Sequence, residues 1–185
     1  EDATAAVGGD LTANDSDPDA SDSLTVISID GESNDALNIS GDFGSLSWND
    51  SGNYSYSIDN SSAAVQALGV GETATDTFTY IISDGNGATD TATLTITITG
   101  TNDLPTAVAD TNTIAEGAVV PVTGDVTAND IDVDTNDVLT VLNVDGETTD
   151  TNDIAGNFGT LDWAADGGYS YTINNSNSSV QILAV

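Results

Sequence analysis

The sequence predicts an all-β protein built as Greek-key β-sandwiches in tandem, the second copy incomplete. Three observations carry this. Residues 91–99 alternate Thr with Ala, Leu and Ile almost without fault, as a strand with one wet and one buried face does. Residues 1–70 repeat in residues 116–185, matching at 36 of 70 positions without a gap. Gly, Asn, Asp and Ser clusters punctuate the chain at short intervals, and no long helical period appears.

The strands follow in order. Val, Ile and Leu between residues 24 and 29 predict the first, ended by Asp30-Gly31-Glu32, a hairpin-turn signal. Gly44–Trp48 and Asn53–Ile58 predict two more, with Tyr54, Tyr56 and Ile58 in one phase and so on one face. Residues 62–68 suit a short helical turn. Residues 77–82 and 91–99 read as a hairpin across Ser83-Asp84-Gly85-Asn86-Gly87. The second copy repeats the earlier strands: Trp48, Tyr54 and Tyr56 return as Trp163, Tyr169 and Tyr171.

A period of 115 residues is a whole domain rather than a solenoid unit. Domains are therefore expected at residues 1–103 and 104–185. The first lacks a counterpart of residues 104–115, and the second lacks one of residues 71–103, the strongest hairpin in the chain. The ends are expected to be cut ends, in an internal piece of an exported protein.

Composition narrows the function. The 185 residues include 31 Asp and Glu and no Lys, Arg or His. No salt bridge between side chains can form, and self-repulsion among carboxylates opposes compaction unless cations from solution neutralise it. Calcium suits this role, because it takes six to eight oxygen ligands from carboxylates, amides and backbone carbonyls. Nucleic acid and anionic membranes are excluded as partners, since they are bound through Lys and Arg. Without His, Cys or Lys only carboxylates and hydroxyls remain for chemistry, which argues against an enzyme. Strict alternation and regularly placed aromatics argue against disorder, which high net charge alone would suggest.

The carboxylates are densest in Asn14-Asp15-Ser16-Asp17-Pro18-Asp19-Ala20-Ser21-Asp22 and in its repeat, residues 129–137. Asp at alternate loop positions can aim successive carboxylates at one centre. Neither loop is an EF-hand: the glycine required at the sixth position is replaced by Ala20 or Thr135, and no closing Glu follows. The same loops also read as solvated turns. Asp30-Gly31-Glu32 and Asp145-Gly146-Glu147 rank as secondary candidates.

The run from Asp76-Thr77-Phe78-Thr79-Tyr80 through Ser83-Asp84-Gly85-Asn86-Gly87 to Thr97-Ile98-Thr99-Gly100-Thr101-Asn102-Asp103-Leu104-Pro105 resembles the end of a VCBS or cadherin-like repeat of large bacterial adhesins, including the RTX type. Val122 to Asp130 is similar to the opening of such a repeat. The resemblance implies an Ig- or cadherin-like sandwich with calcium at the junctions between repeats. It implies a stiff extracellular spacer on a bacterial surface, or a secreted one, that mediates adhesion or matrix assembly with neighbouring repeats as partners. Carried over by position, Asn102 and Asp103 resemble linker ligands, Asp130 and Asp132 the aspartates of the following domain, and Glu1 and Glu72 the ligands from below. Glu72 lies in Gly71-Glu72-Thr73 where cadherins have Asp-Arg-Glu. Asp15, Asp17 and Asp84 would serve the preceding junction.

Two alternatives stay open: a self-assembling filament completed by strand exchange between neighbouring chains, and a calcium-dependent carbohydrate-binding module with Trp48, Trp163, Tyr54, Tyr56, Tyr169 and Tyr171 as a stacking platform.

Overall fold

A computed structural model describes every residue except 1, 4, 20, 34–37, 149–152 and 184–185. The chain folds as two compact units, Glu1–Asp103 and Leu104–Val185.

Unit 1 contains β1 (Val7–Asp10), β2 (Thr25–Ile29), β3 (Ile39–Ser40), β4 (Gly44–Trp48), β5 (Asn53–Ile58), a single helical turn α1 (Ala63–Gln66), β6 (Thr73–Ser83) and β7 (Thr89–Thr99). All pairings are antiparallel, in one sheet of order β1-β5-β4-β3 and another of order β2-β6-β7. The chain changes sheet between β1 and β2, between β2 and β3, and between β5 and β6, so the two sheets fold as one sandwich.

The sandwich closes on the apolar faces that alternation marked. Val26, Ile29, Leu46, Tyr56, Phe78 and Tyr80 are buried together with Leu11, Ile39, Trp48 and Ile98. On β6 and β7 the threonines face out, while Phe78, Tyr80 and Ile98 are buried and Ala92, Leu94 and Ile96 half-buried. Each aromatic or aliphatic side chain taken fully from water contributes about 1.5–3 kcal/mol. The rings of Tyr56 and Phe78 meet edge to face at 6.2 Å, joining the two sheets.

Asp30-Gly31 forms the expected tight turn: both residues have positive φ, 48° and 86°, and Ile29 and Glu32 exchange N–H···O bonds of 3.0 and 2.9 Å. Asp145 and Gly146 repeat it between Val144 and Glu147. The hairpin strands are longer than the alternating runs alone indicate, pairing in register from Thr73↔Thr99 to Ser83↔Thr89. Two short strands, β1 and β3, have no sequence forecast.

Unit 2 contains β8 (Val122–Asp125), β9 (Ile154–Ala155), β10 (Gly159–Trp163), β11 (Gly168–Ile173) and the turn α2 (Ser178–Gln181). They form a sheet of order β8-β11-β10-β9, the counterpart of β1-β5-β4-β3 in the same register. The expected strand at the counterpart of residues 24–29 is not formed. Residues 139–143 have no ladder, because the strand they would pair with corresponds to β6 and nothing in residues 104–185 matches β6.

The core records the same difference. Leu11, Val26, Ile29, Leu46 and Tyr56 are buried, while their counterparts Val126, Val141, Val144, Leu161 and Tyr171 are only half-buried. Among the described residues no helix is long and apolar enough to cross a membrane.

Candidate metal centres

Two carboxylate trios stand out among the described residues. In unit 1, Asp17, Asp22 and Asp84 each place an oxygen within 4.8 Å of the others, and all three are half-buried. In unit 2, Asp132, Asp134 and Asp137 do the same, with Asp134 only 2% exposed. Asp17 and Asp22 correspond to Asp132 and Asp137 across the repeat, so the acidic loop brings the same two carboxylates together in both units.

Local hydrogen bonds shape each trio. The Asp17 carboxylate accepts the Asp19 N–H at 2.7 Å, and Asp132 accepts that of Asp134 at 3.0 Å. Such turns, in which an aspartate caps the backbone two residues on, hold the loop and leave a second oxygen for another use. Asp84 does more: one of its oxygens accepts the N–H groups of Asn86, Gly87 and Ala88 at 2.8, 3.0 and 3.0 Å, which builds the β6–β7 turn. The Asn86 amide also donates to Asp22 at 2.8 Å, tying the hairpin tip to the acidic loop. Hard oxygen ligands are the whole donor set in both trios, the set calcium prefers.

The remaining sequence candidates are placed as follows. Asp15 stands outside the unit 1 trio; it accepts the Tyr80 hydroxyl at 3.4 Å. Burial, then the charge and hydrogen bond of Asp15, push the Tyr80 phenol above its usual range. Asp130 is half-buried and accepts the Val108 N–H at 2.7 Å. Glu72 accepts the Gly69 N–H at 3.1 Å and receives Gly100 N–H on its carbonyl at 3.0 Å. Asn102 is exposed and its amide donates to the Asp103 carbonyl; the Asp103 residue is half-buried. Glu1 lies outside the described residues.

Asp22, Asp134 and Asp137 were visible in the dense acidic runs but not singled out, since loop spacing alone does not say which carboxylates converge. Asp76 carried no forecast of its own. It is 3% exposed, and its carboxylate accepts the Tyr56 hydroxyl at 2.6 Å, the Asp42 N–H at 2.8 Å and the Phe43 N–H at 3.2 Å. Burial, and then the hydrogen bond and charge of Asp76, push the Tyr56 phenol far above its usual range. The available signal was its phase: Asp76 falls on the inward alternation with Phe78 and Tyr80.

Of the aromatics a sugar-stacking platform would use, Trp48, Trp163 and Tyr56 are buried, at 5%, 6% and 1% exposure, while Tyr54, Tyr169 and Tyr171 are half-buried.

Antiparallel sandwich sheets, repeated along the chain and fringed by acidic loops, define a β-sandwich repeat protein. The chain belongs to the bacterial cadherin-like domain family, whose profile matches residues 1–100 and again residues 102–185. Among curated proteins no sequence matches the chain.

Proposed function

We propose that the chain is a calcium-stiffened spacer of an extracellular bacterial adhesin, and that residues 1–103 and 104–185 are two successive repeats of it. One observation carries the reading: three carboxylates gather within 4.8 Å in each unit, two from the acidic loop and Asp84 from the β6–β7 turn in unit 1 and all three from the acidic loop in unit 2, on a chain that supplies no basic side chain. Like charges this close repel, and a divalent ion among them turns that repulsion into attraction. Asp17, Asp22 and Asp84 would hold one ion, and Asp132, Asp134 and Asp137 another. Bound calcium would supply charge neutralisation and fix the loops, so that its binding free energy adds to that of folding.

Family membership supports a structural module outside the cell rather than an enzyme, and the resemblance to VCBS and RTX adhesin repeats gives the finer setting, a surface or secreted adhesin that acts in adhesion or matrix assembly. In this reading the junction ligands Asn102, Asp103, Asp130 and Asp132, with Glu1 and Glu72, orient one repeat on the next, while Asp15, Asp17 and Asp84 serve the repeat before. The partners are calcium and neighbouring repeats.

Calorimetry with and without calcium tests it. At a calcium concentration a hundred times the dissociation constant, stability should rise by about 2.7 kcal/mol per site. Asp17→Asn with Asp84→Asn should remove the gain in unit 1 alone. A melting profile indifferent to calcium and to chelator would refute the proposal.

A further inference from the structure

Asn86-Gly87, in the turn between β6 and β7, is the only Asn-Gly step in the 185 residues. Of all steps that follow an asparagine, this is the one most open to attack on the side-chain amide. Glycine has no Cβ to obstruct its own nitrogen and leaves the backbone free to bend toward the side chain. The turn keeps that freedom. Asn86 and Gly87 are both exposed, Gly85 and Gly87 have φ of 78° and 110°, and a Cβ on either glycine would meet nothing within 4 Å. Water therefore has free access to the step.

The Asn86 amide ties this turn to the acidic loop. Its Nδ2 donates to Asp22 at 2.8 Å. Asp22 is one of the three carboxylates, with Asp17 and Asp84, whose oxygens lie within 4.8 Å of one another. The backbone N–H groups of Asn86, Gly87 and Ala88 end on one oxygen of Asp84 at 2.8, 3.0 and 3.0 Å. Loop and hairpin tip are thus joined by an uncharged donor, on a chain that has no basic side chain to take its place. A carboxylate at position 86 would turn that donor into a fourth negative charge at hydrogen-bond distance from Asp22, and like charges so placed repel.

We propose that Asn86 is a deamidation site, and that its conversion makes unit 1 depend more strongly on calcium. The Gly87 nitrogen attacks the side-chain carbonyl carbon of Asn86, the Cγ–Nδ2 bond breaks, and ammonia leaves carrying the proton that Gly87 N–H had directed at Asp84. Water then opens the cyclic imide at either carbonyl, giving aspartate or isoaspartate at position 86. Isoaspartate routes the chain through its side chain, and the added backbone methylene draws the Gly87 and Ala88 N–H groups off Asp84. Either product sets a carboxylate beside Asp22. Without a cation the repulsion loosens the hairpin tip from the acidic loop, while with calcium the aspartate form offers the trio one more hard oxygen ligand. The calcium dependence rests on the spacer reading given above; the modification itself does not.

Ageing the intact chain at mildly alkaline pH, in chelator and in calcium, with peptide mapping by mass spectrometry, tests it. The peptide holding Asn86 should convert before any other asparagine peptide, with isoaspartate among its products, and the aged chain should lose stability in chelator. Asn86→Asp supplies the new charge on an unaltered backbone. In denaturant titrations with chelator, its folding equilibrium constant for unit 1 should fall by about fivefold or more, the worth of one hydrogen bond, and calcium should recover the loss. Asn86→Gln, whose longer side chain closes the imide ring far more slowly, should resist conversion at the hairpin. Earlier conversion at other asparagines, or an Asn86→Asp chain within about twofold of the parent in chelator, would overturn the proposal. If calcium stabilises the chain and Asn86 nonetheless stays intact, this inference falls and the spacer reading stands. If Asn86 converts and the loss is equal with and without calcium, its calcium dependence is overturned; a chain wholly indifferent to calcium overturns the spacer reading as well.

Discussion

At the scale of residues, the buried pair Tyr56 and Asp76 ties one sheet to the other through a single 2.6 Å hydrogen bond. The proton on Tyr56 is held in the folded state well beyond the pH at which an unfolded tyrosine, with its ordinary pKa near 10.0, releases it. A raised folded-state pKa contributes stability that is fully present below the unfolded value and is lost as pH rises above it. Stability of unit 1 should therefore fall above about pH 10, at up to ~1.4 kcal/mol per pH unit for this group. Tyr56→Phe should flatten that alkaline slope while lowering stability near neutrality, because the Asp76 carboxylate then loses a donor. Denaturant titrations between about pH 8 and 11 measure both; equal slopes in the two proteins would contradict the assignment. Asp76 also shows why part of the site escaped sequence reading. Acids draw the eye when clustered in loops, whereas this one stands alone in a strand whose threonines conceal its inward phase.

At the scale of elements, legibility followed the strength of the local pattern. The β6–β7 hairpin, β4, β5 and the Asp30-Gly31 turn were readable because alternation, paired aromatics and turn chemistry agreed. β1 was not: Val7-Gly8-Gly9-Asp10 has no period, and its place is set by tertiary contact with β5, where glycine lets Tyr54 approach. Residues 139–144 were read as a strand on good local grounds, yet β-structure is a property of pairs, and their partner has no counterpart in unit 2. Of the acidic loop, the two positions Asp17 and Asp132 were forecast and sit in the trios, while Asp15 and Asp130 turn to a hydroxyl and a backbone N–H. Spacing could mark the loop but not its internal fold, which depends on which carboxylates the turns consume.

At the scale of the whole molecule, the two units differ in how much apolar surface they bury. Of the thirteen buried hydrophobic side chains among the described residues, only Trp163 and Val180 belong to unit 2. Each missing burial forfeits about 1.5–3 kcal/mol, so the units should melt separately, with unit 2 first. Scanning calorimetry should resolve two transitions, and amide exchange should assign the lower one to residues 104–185; a single coincident transition would be inconsistent with this ordering. The sheet order also leaves β7 at an edge, eleven residues long and interrupted only by the acid Asp90. Long straight edges invite other strands, and most proteins blunt them with lysine or proline. Here the whole chain's uniform sign does that work at a distance, holding copies apart in suspension. Its reach shrinks to about 10 Å in 0.1 M salt and about 3 Å in 1 M. Colloidal behaviour thus becomes ionic-strength dependent: light scattering should grow with monovalent salt, and the edge that dilute electrolyte keeps solitary should turn gregarious in brine.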